Sequence, residues 1–473
     1  MPMINYDISL FIFRRDLRLY DNTALIQAHT LSNKVIPLFI CTPAQISDQN
    51  KFKSSNAIQF MIESLEDLDK QISKQNSKCK LWVAYGDEIP IINKIYSKIK
   101  YQSIFINEDY SPYSIKRDSS IRRFCKEKSI DFSCKTDILL TNTLETKAKN
   151  GNYYKIFTQF YNTSIKIPIR KPKSNNATNF YPLPSSFQSW NIHSINKSIL
   201  SNNFYKTNPN LAISGGRTSA LKILSKASKF SSYKKTHDIL ATPTTHLSPH
   251  NKFGTVSIRE VYASFKTKAK SIDLCKQLYW RDFYYYASVH FQKDFYSYNH
   301  IVKTSKNKTK WENKPAYCIA WQTATTGFPI VDAGMTELNT TGYMHNRARL
   351  ITSSFLVKDL LVNWKYGEQY FSKKLVDVDR AQNVGNWCWS SSFGLDSSPF
   401  LRILNPHTQS SNFDPTCVYI KKWLPQLSKI QPNHLHNWHK YHHLYPNVNY
   451  PPPIVNHDER RLLFIKYYNS NFK

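Results

Sequence analysis

The chain has 473 residues, 41% of them hydrophobic and 14% aromatic, and carries 64 Lys and Arg against 33 Asp and Glu, a formal net charge of +31. That length and apolar content exclude a disordered chain and a single small core, and predict two or three domains. The positive excess suits a polyanionic partner, nucleic acid first, although a coding bias toward Lys, Asn and Ile yields the same excess and charge alone does not decide.

From residue 8 to about 140, short apolar runs ("ISLFIF", "VIPLFIC", "LWVAYG", "SIFIN", "DILL") alternate with amphipathic stretches at 55 to 75 and 115 to 128. This alternation predicts a parallel α/β sheet over residues 1–140. Its first glycine is Gly86, so the opening strand-to-helix turn is not the glycine-rich turn of a dinucleotide fingerprint. Residues 141–210, rich in Asn, Ser, Lys and Thr with prolines at 168, 172, 182 and 184, read as a connector lying on the surface. Beyond it, residues 211–473 carry helical periodicities such as "TSALKILSKASKF", "SIREVYASFKT" and "LITSSFLVKDLLVNW", which predict an all-helical domain.

The eight cysteines include no C-x-x-C pair and no histidine placed to complete a zinc site, so free thiols in a reducing compartment and no metal are expected. "ISLFIF" is too short to span a bilayer and is followed at once by "RRDLR"; no membrane span or signal peptide is expected. The basic cluster "KTSKNKTK" at 303 to 310 suits nuclear import or a DNA-facing loop equally, leaving an intracellular location, cytoplasmic or nuclear, undecided.

In "KQLYWRDFYYY", residues 276 to 286, helical spacing puts Gln277, Trp280, Arg281 and Tyr284 on one face and turns Leu278, Phe283 and Ala287 toward a core. An indole one turn from an amide suits a planar heterocycle such as a nucleobase, though an aromatic-rich buried helix reads the same way. Three further segments carry chemistry: "TTHLSPHNKFGTVSIREVY" from 244, "TGFPIVDAGMTELNTTGYMHNRARLITSSFLVKDLLVNWKYGEQYF" from 326, and "LVDVDRAQNVGNWCW" from 375. Together with "FIFRRDLRLYDNTAL" at 11 to 25 and "YPPPIVNHDERR" at 450 to 461, they resemble the photolyase and cryptochrome family across nearly the whole chain. The "MHNRAR" wording is most similar to the class I cyclobutane pyrimidine dimer photolyases.

The resemblance implies a Rossmann-like antenna domain and a helical domain holding FAD folded back on itself, with ultraviolet-damaged DNA as partner and a monomeric protein. It implies that Tyr233, Thr244, Thr245, His246, Leu247, Ser248, Arg281, Arg349, Asp377, Asp379 and Asn383 bind the cofactor, Asn383 facing the flavin N5 position. Hydroxyls and free N–H groups at a helix start suit its pyrophosphate. Trp311, Trp364 and Trp387 match an electron-transfer chain from surface to flavin. Gln277, Trp280, Tyr284, Asn346, Arg347, Leu350, Trp389, Arg402 and Gln409 match positions that bind lesion or phosphate, Trp280 and Trp389 being the rings that flank a flipped dimer. An antenna chromophore, methenyltetrahydrofolate or 8-hydroxy-deazaflavin, would sit near "FINEDYSPY" at 105 to 113; a solvent-exposed loop is the alternative.

Two positions depart from the dimer-photolyase pattern, Gln277 standing for glutamate and Leu350 for methionine. Glutamine does not ionise, so binding retained with weaker electron-transfer yield is expected. Six-four repair has no evident proton-transfer agent, since two family histidines are replaced by Asn346 and Leu350. The alternatives to dimer repair are a blue-light photoreceptor of the same fold and a light-independent DNA-binding protein.

Overall fold

The computed structural model describes residues 5–296, 311–392, 394–396 and 401–472; the basic cluster at 303 to 310 lies outside them. The first apolar runs form strands β1 (Tyr6–Phe13), β2 (Ser32–Cys41), β3 (Trp82–Tyr85), β4 (Ser103–Asn107) and β5 (Asp131–Lys135). All pair in parallel, in the order β3-β2-β1-β4-β5. Leu10, Phe11 and Ile104 are wholly buried, as a sheet covered by helices on both faces requires. Those helices include α1 (Thr23–Leu31), α2 (Ser55–Gln75) and α3 (Pro112–Glu127). The winding reverses between β1 and β4, which opens a crevice past their carboxyl ends, where doubly wound sheets hold ligands.

Side chains, not glycines, build the turn after β1. Asn22 accepts from Leu25 N at 3.2 Å to cap α1, and Asn107 donates to both Asp16 and Asn22. Charged groups lock this turn to the second half of the chain: Arg15 pairs with Asp379, and Arg18 donates to Gly254 O at 3.1 Å. Arg18 pairs with Asp137 at 2.5 Å, and Arg259, 4% exposed, pairs with Asp21 and Asp137 at 2.8 Å each. Buried charges are tolerable only when paired in this way.

Residues 141–210 do more than lie on the surface. Their helix α4 (Phe157–Ser164) buries Phe157 and Phe160, Phe180 makes a parallel bridge to Val35 of β2, and Phe187 and Ile199 enter the cores beside the sheet. The polar composition of the stretch as a whole hid these apolar anchors, which come in short groups such as "YYKIFTQFY".

Among the described residues no strand follows Lys135. The helices that shape the site are α5 (Ser248–Phe253), α6 (Ile272–His290), α7 (Asn346–Ser354), α8 (Trp364–Lys374) and α9 (Arg380–Ser390). "LITSSFLVKDLLVNW" is not one helix: a π turn over Phe355–Asp359 and a left-handed Leu361 interrupt it before Trp364 begins α8. Among the described residues all eight cysteines are free, no group of three His, Cys, Asp or Glu is placed to hold a metal ion, and no helix is long and apolar enough to cross a membrane.

Candidate functional site

A cavity of about 470 Å³ lies between α5, α6, α7 and α9, within the roughly 300–1,000 Å³ typical of small-molecule sites. A narrower one of about 110 Å³ adjoins it and shares Asn346, Arg349, Leu350, Asp377, Asp379 and Gln382. The helices approach closely because of two glycines. A Cβ on Gly385 would lie 2.2 Å from the ring of Tyr284 on α6, and one on Gly367 would lie 2.1 Å from the ring of Trp387.

Gln277, Trp280, Arg281 and Tyr284 from α6 line the main cavity together with Trp389 from α9, as the shared helical face predicts. Asn346 and Leu350 stand on the same wall, so both departures from the dimer-photolyase pattern, Gln277 and Leu350, face the cavity. Tyr233, Thr244, Thr245, His246, Leu247 and Ser248 also line it. Burial pushes the Tyr233 hydroxyl up to about 12 and lowers the His246 imidazole, so both are neutral near pH 7.

The floor is ionic. Arg349 grips Asp377 with both terminal nitrogens, at 2.8 and 3.2 Å, and Ser248 donates its hydroxyl to Asp377 at 2.6 Å. Burial works against the Arg349 charge, but Asp377 raises its pKa above the ordinary value. Asp379 caps α9 by accepting from Ala381 N and Gln382 N, and its other oxygen is held by Arg15 of the first domain and by the Tyr285 hydroxyl. Burial opposes its ionisation, yet Arg15 and Tyr285 keep its pKa below the usual value.

Asn383 lines the narrower cavity, and its Nδ2 donates to Glu368 O at 2.9 Å, Glu368 Oε1 at 3.0 Å and Ser372 Oγ at 2.9 Å. Three acceptors around one end fix the amide orientation and leave the carbonyl as its unengaged end. Glu368, fully buried on α8, is a site residue the sequence did not reveal, since one carboxylate in "KYGEQYF" reads as a solvated helix position. Asn251 is a second: its Oδ1 is buried on the main cavity without a partner, an acceptor waiting for a ligand donor. These acceptors, the ionic floor and the aromatic walls fit a large planar cofactor with a polar linker.

Trp364 and Trp387 are buried and Trp311 is half-buried. Trp387 lines the narrower cavity and packs edge-on to Phe371 at 5.0 Å and to a further indole, the fully buried Trp321, at 6.2 Å. The predicted lesion or phosphate residues Arg347, Arg402 and Gln409 do not line either cavity. Arg347 pairs with Asp238 at 2.6 Å and covers the Phe413 ring, Arg402 is exposed, and Gln409 turns Oε1 inward without a partner. The run at 345 to 349 therefore splits, Asn346 and Arg349 facing the cavity while Arg347 takes a structural ion pair.

A second cavity, of about 480 Å³, occupies the crevice past β1 and β4. Asp109, Ser111 and Tyr113 of the predicted antenna loop line it, with Arg14, Arg15, Arg117, Lys252 and Asp379. Arg14 Nη2 and Arg117 Nη2 are buried without partners, an unmet demand for an anion.

The family model described as the FAD binding domain of DNA photolyase matches residues 274–470, and the DNA photolyase model matches residues 9–175. A deoxyribodipyrimidine photo-lyase of Buchnera aphidicola is 34% identical over 96% of this chain and 95% of its own length. That of Escherichia coli is 30% identical over 97% and 98%. Among solved structures, an archaeal photolyase from Sulfolobus tokodaii with two FAD molecules, described as implying a novel light-harvesting cofactor, superposes with a TM-score of 0.85 at 37% identity, covering 98% of this chain and all of that one. A class III photolyase from Agrobacterium tumefaciens superposes with a TM-score of 0.87 at 27% identity, with 98% coverage of both chains.

Proposed function

Because this chain belongs to the DNA photolyase family, we propose that it binds FAD in its helical domain and uses light to split cyclobutane pyrimidine dimers in DNA. The carrying observation is one cavity that brings Trp280, Trp389, Gln277 and Asn346 together with the Arg349–Asp377 floor and opens beside Asn383. When bound, FAD supplies the photoexcited electron donor that opens the cyclobutane ring and takes the electron back, with no net redox change.

The chain's own residues hold, orient and exclude. Trp280 and Trp389 offer flat faces to an extruded lesion, stacking that contributes roughly 1–3 kcal/mol per base. A dimer already stacks poorly in the duplex, so extruding it costs less than extruding intact bases. Gln277, with amide donor and acceptor, and Asn346 read the pyrimidine carbonyl and N–H edges. Thr244, Ser248 and Asn251 would supply polar groups to the cofactor's linker, and the Asn383 carbonyl, unengaged within the protein, would accept from a proton held at flavin N5. Trp387, Trp364 and Trp311 relay electrons that recharge the cofactor. The excess of Lys and Arg supplies the long-range attraction to DNA.

The second cavity is the place for a light-harvesting cofactor. Its two unpartnered guanidinium nitrogens favour a chromophore bearing an anionic tail, as a flavin nucleotide does.

The reading is tested by illuminating flavin-reduced protein with one oligonucleotide carrying a cyclobutane dimer and another carrying a six-four product. Recovery of intact thymines from the first alone is expected. Light-driven flavin reduction with no recovery from either overturns repair in favour of photoreception.

A further inference from the structure

Building on the lesion-binding reading above, we infer that Asp396 and Phe157, neither of which lines the cavity, form a brace that fixes the spacing of the two indoles on either side of the lesion. Trp280 is stacked against Phe157 with ring centroids 3.6 Å apart and planes 8° from parallel. Phe157 thereby covers one indole face and leaves the other for the cavity. Phe157 opens helix α4, where its backbone N–H has no partner within the helix. That N–H donates instead to Asp396 Oδ1 at 2.8 Å. Asp396 N donates to Lys155 O at 3.0 Å, doubling the link to the same segment. The Asp396 carbonyl accepts from Trp389 Nε1 at 3.2 Å.

One residue thus holds both walls, Trp389 through its main chain and Trp280 through its carboxylate and the ring of Phe157. Its backbone, at φ +56°, is left-handed, a region open to Asp, Asn and Gly but strained for most residues. The physical gain is preorganisation. An indole ordered only on binding subtracts its lost rotamer freedom from the stacking energy, roughly 2- to 12-fold in affinity per side chain. Two indoles held beforehand avoid that loss. Binding to undamaged DNA, which rests on phosphate contacts, gains nothing from it.

The test uses FAD-loaded full-length protein and the conformationally tolerated pair Asp396→Gly, which removes the carboxylate, and Asp396→Asn, which keeps an acceptor oxygen. Dissociation constants are measured at one salt concentration for a dimer-containing oligonucleotide and its undamaged counterpart. We expect Asp396→Gly to weaken dimer binding about 10-fold, leaving undamaged DNA affinity, FAD content and flavin photoreduction rate unchanged, and Asp396→Asn to recover most of the loss. Phe157→Leu, which keeps apolar volume but not the stack, is expected to act as Asp396→Gly does, and serves if that variant does not fold. Independently of DNA, in protein labelled with 5-fluorotryptophan, the Trp280 resonance, assigned through Trp280→Phe, should broaden or shift in Phe157→Leu. If the wild type prefers dimers but both variants bind them as tightly, or lose affinity for damaged and undamaged DNA alike, the brace is refuted and repair stands. A wild type with no dimer preference refutes the lesion-binding reading itself, and the brace with it.

Discussion

The Asn383 amide nitrogen donates to both the carbonyl of Glu368, at 2.9 Å, and its carboxylate, at 3.0 Å. Glu368 thus supplies two of the three acceptors, with Ser372 Oγ the third, that hold the amide nitrogen and leave the carbonyl of the asparagine to the cofactor. Glu368→Leu removes the carboxylate acceptor, leaving the main-chain carbonyl and Ser372 Oγ, and so weakens the hold on the amide and the bias toward a proton on flavin N5. Visible absorption of illuminated protein at pH 7 should show a smaller protonated fraction than in wild type, with FAD still bound. An unchanged spectrum would separate the orientation of Asn383 from flavin protonation.

Gln277 stands exposed at the cavity wall beside Trp280. Gln277→Glu keeps the side-chain length and adds a group that donates a proton when neutral. The quantum yield of dimer splitting is expected to rise a few-fold while the dissociation constant for dimer DNA changes by less than about 3-fold, below about 0.7 kcal/mol. A yield that stays flat would place the limit on electron transfer elsewhere.

Arg349→Ala leaves Asp377, whose side chain is 4% exposed, without its bidentate partner. Stranding a buried charge costs about 3 kcal/mol. The melting temperature should fall by several degrees and FAD should be lost on gel filtration. The double variant Arg349→Ala, Asp377→Asn should regain part of the stability without regaining FAD.

His345 caps α7 by accepting from Arg347 N at its Nδ1, 3.1 Å away, which only a neutral imidazole does. Burial lowers its pKa to about 4, with Asp238 opposing and Arg349, His246 and Arg347 reinforcing the shift. The folded value lies below the unfolded one, so in the window from about 6.5 down to 4 the unfolded chain takes up the proton first. Its contribution is complete above pH 6.5 and is lost as pH falls through that window, up to about 3 kcal/mol. His345→Asn retains a capping acceptor without the proton. Unfolding free energies measured at pH 7 and pH 4.5 should differ less in the variant than in wild type.

The strand runs, the helical stretches at 55 to 75 and 115 to 128, and the aromatic face of 276 to 286 were legible because their periodicity is local. Family motifs placed the residues of the main cavity, but could not say which way each side chain turns. Arg347 sits between two cavity residues and faces Asp238, a choice made by a helix turn and a neighbouring loop. Phe157 was missed although it stands in the aromatic run "YYKIFTQFY", because the Asn, Ser and Lys content of residues 141–210 as a whole set the reading. Glu368 and Asp396 act through partners 15 and 239 residues away, distances over which sequence spacing says nothing.

Asp379 lines both the FAD cavity and the crevice of the first domain while capping the helix that bears Asn383, Trp387 and Trp389. Two chambers whose common wall is made by Asp379 and Lys252 are poor targets for independent redesign. An engineer wishing to reshape the crevice would leave Arg15, Lys252 and Asp379 untouched and recut it at Glu88, Ser111 and Tyr113, which line the crevice alone.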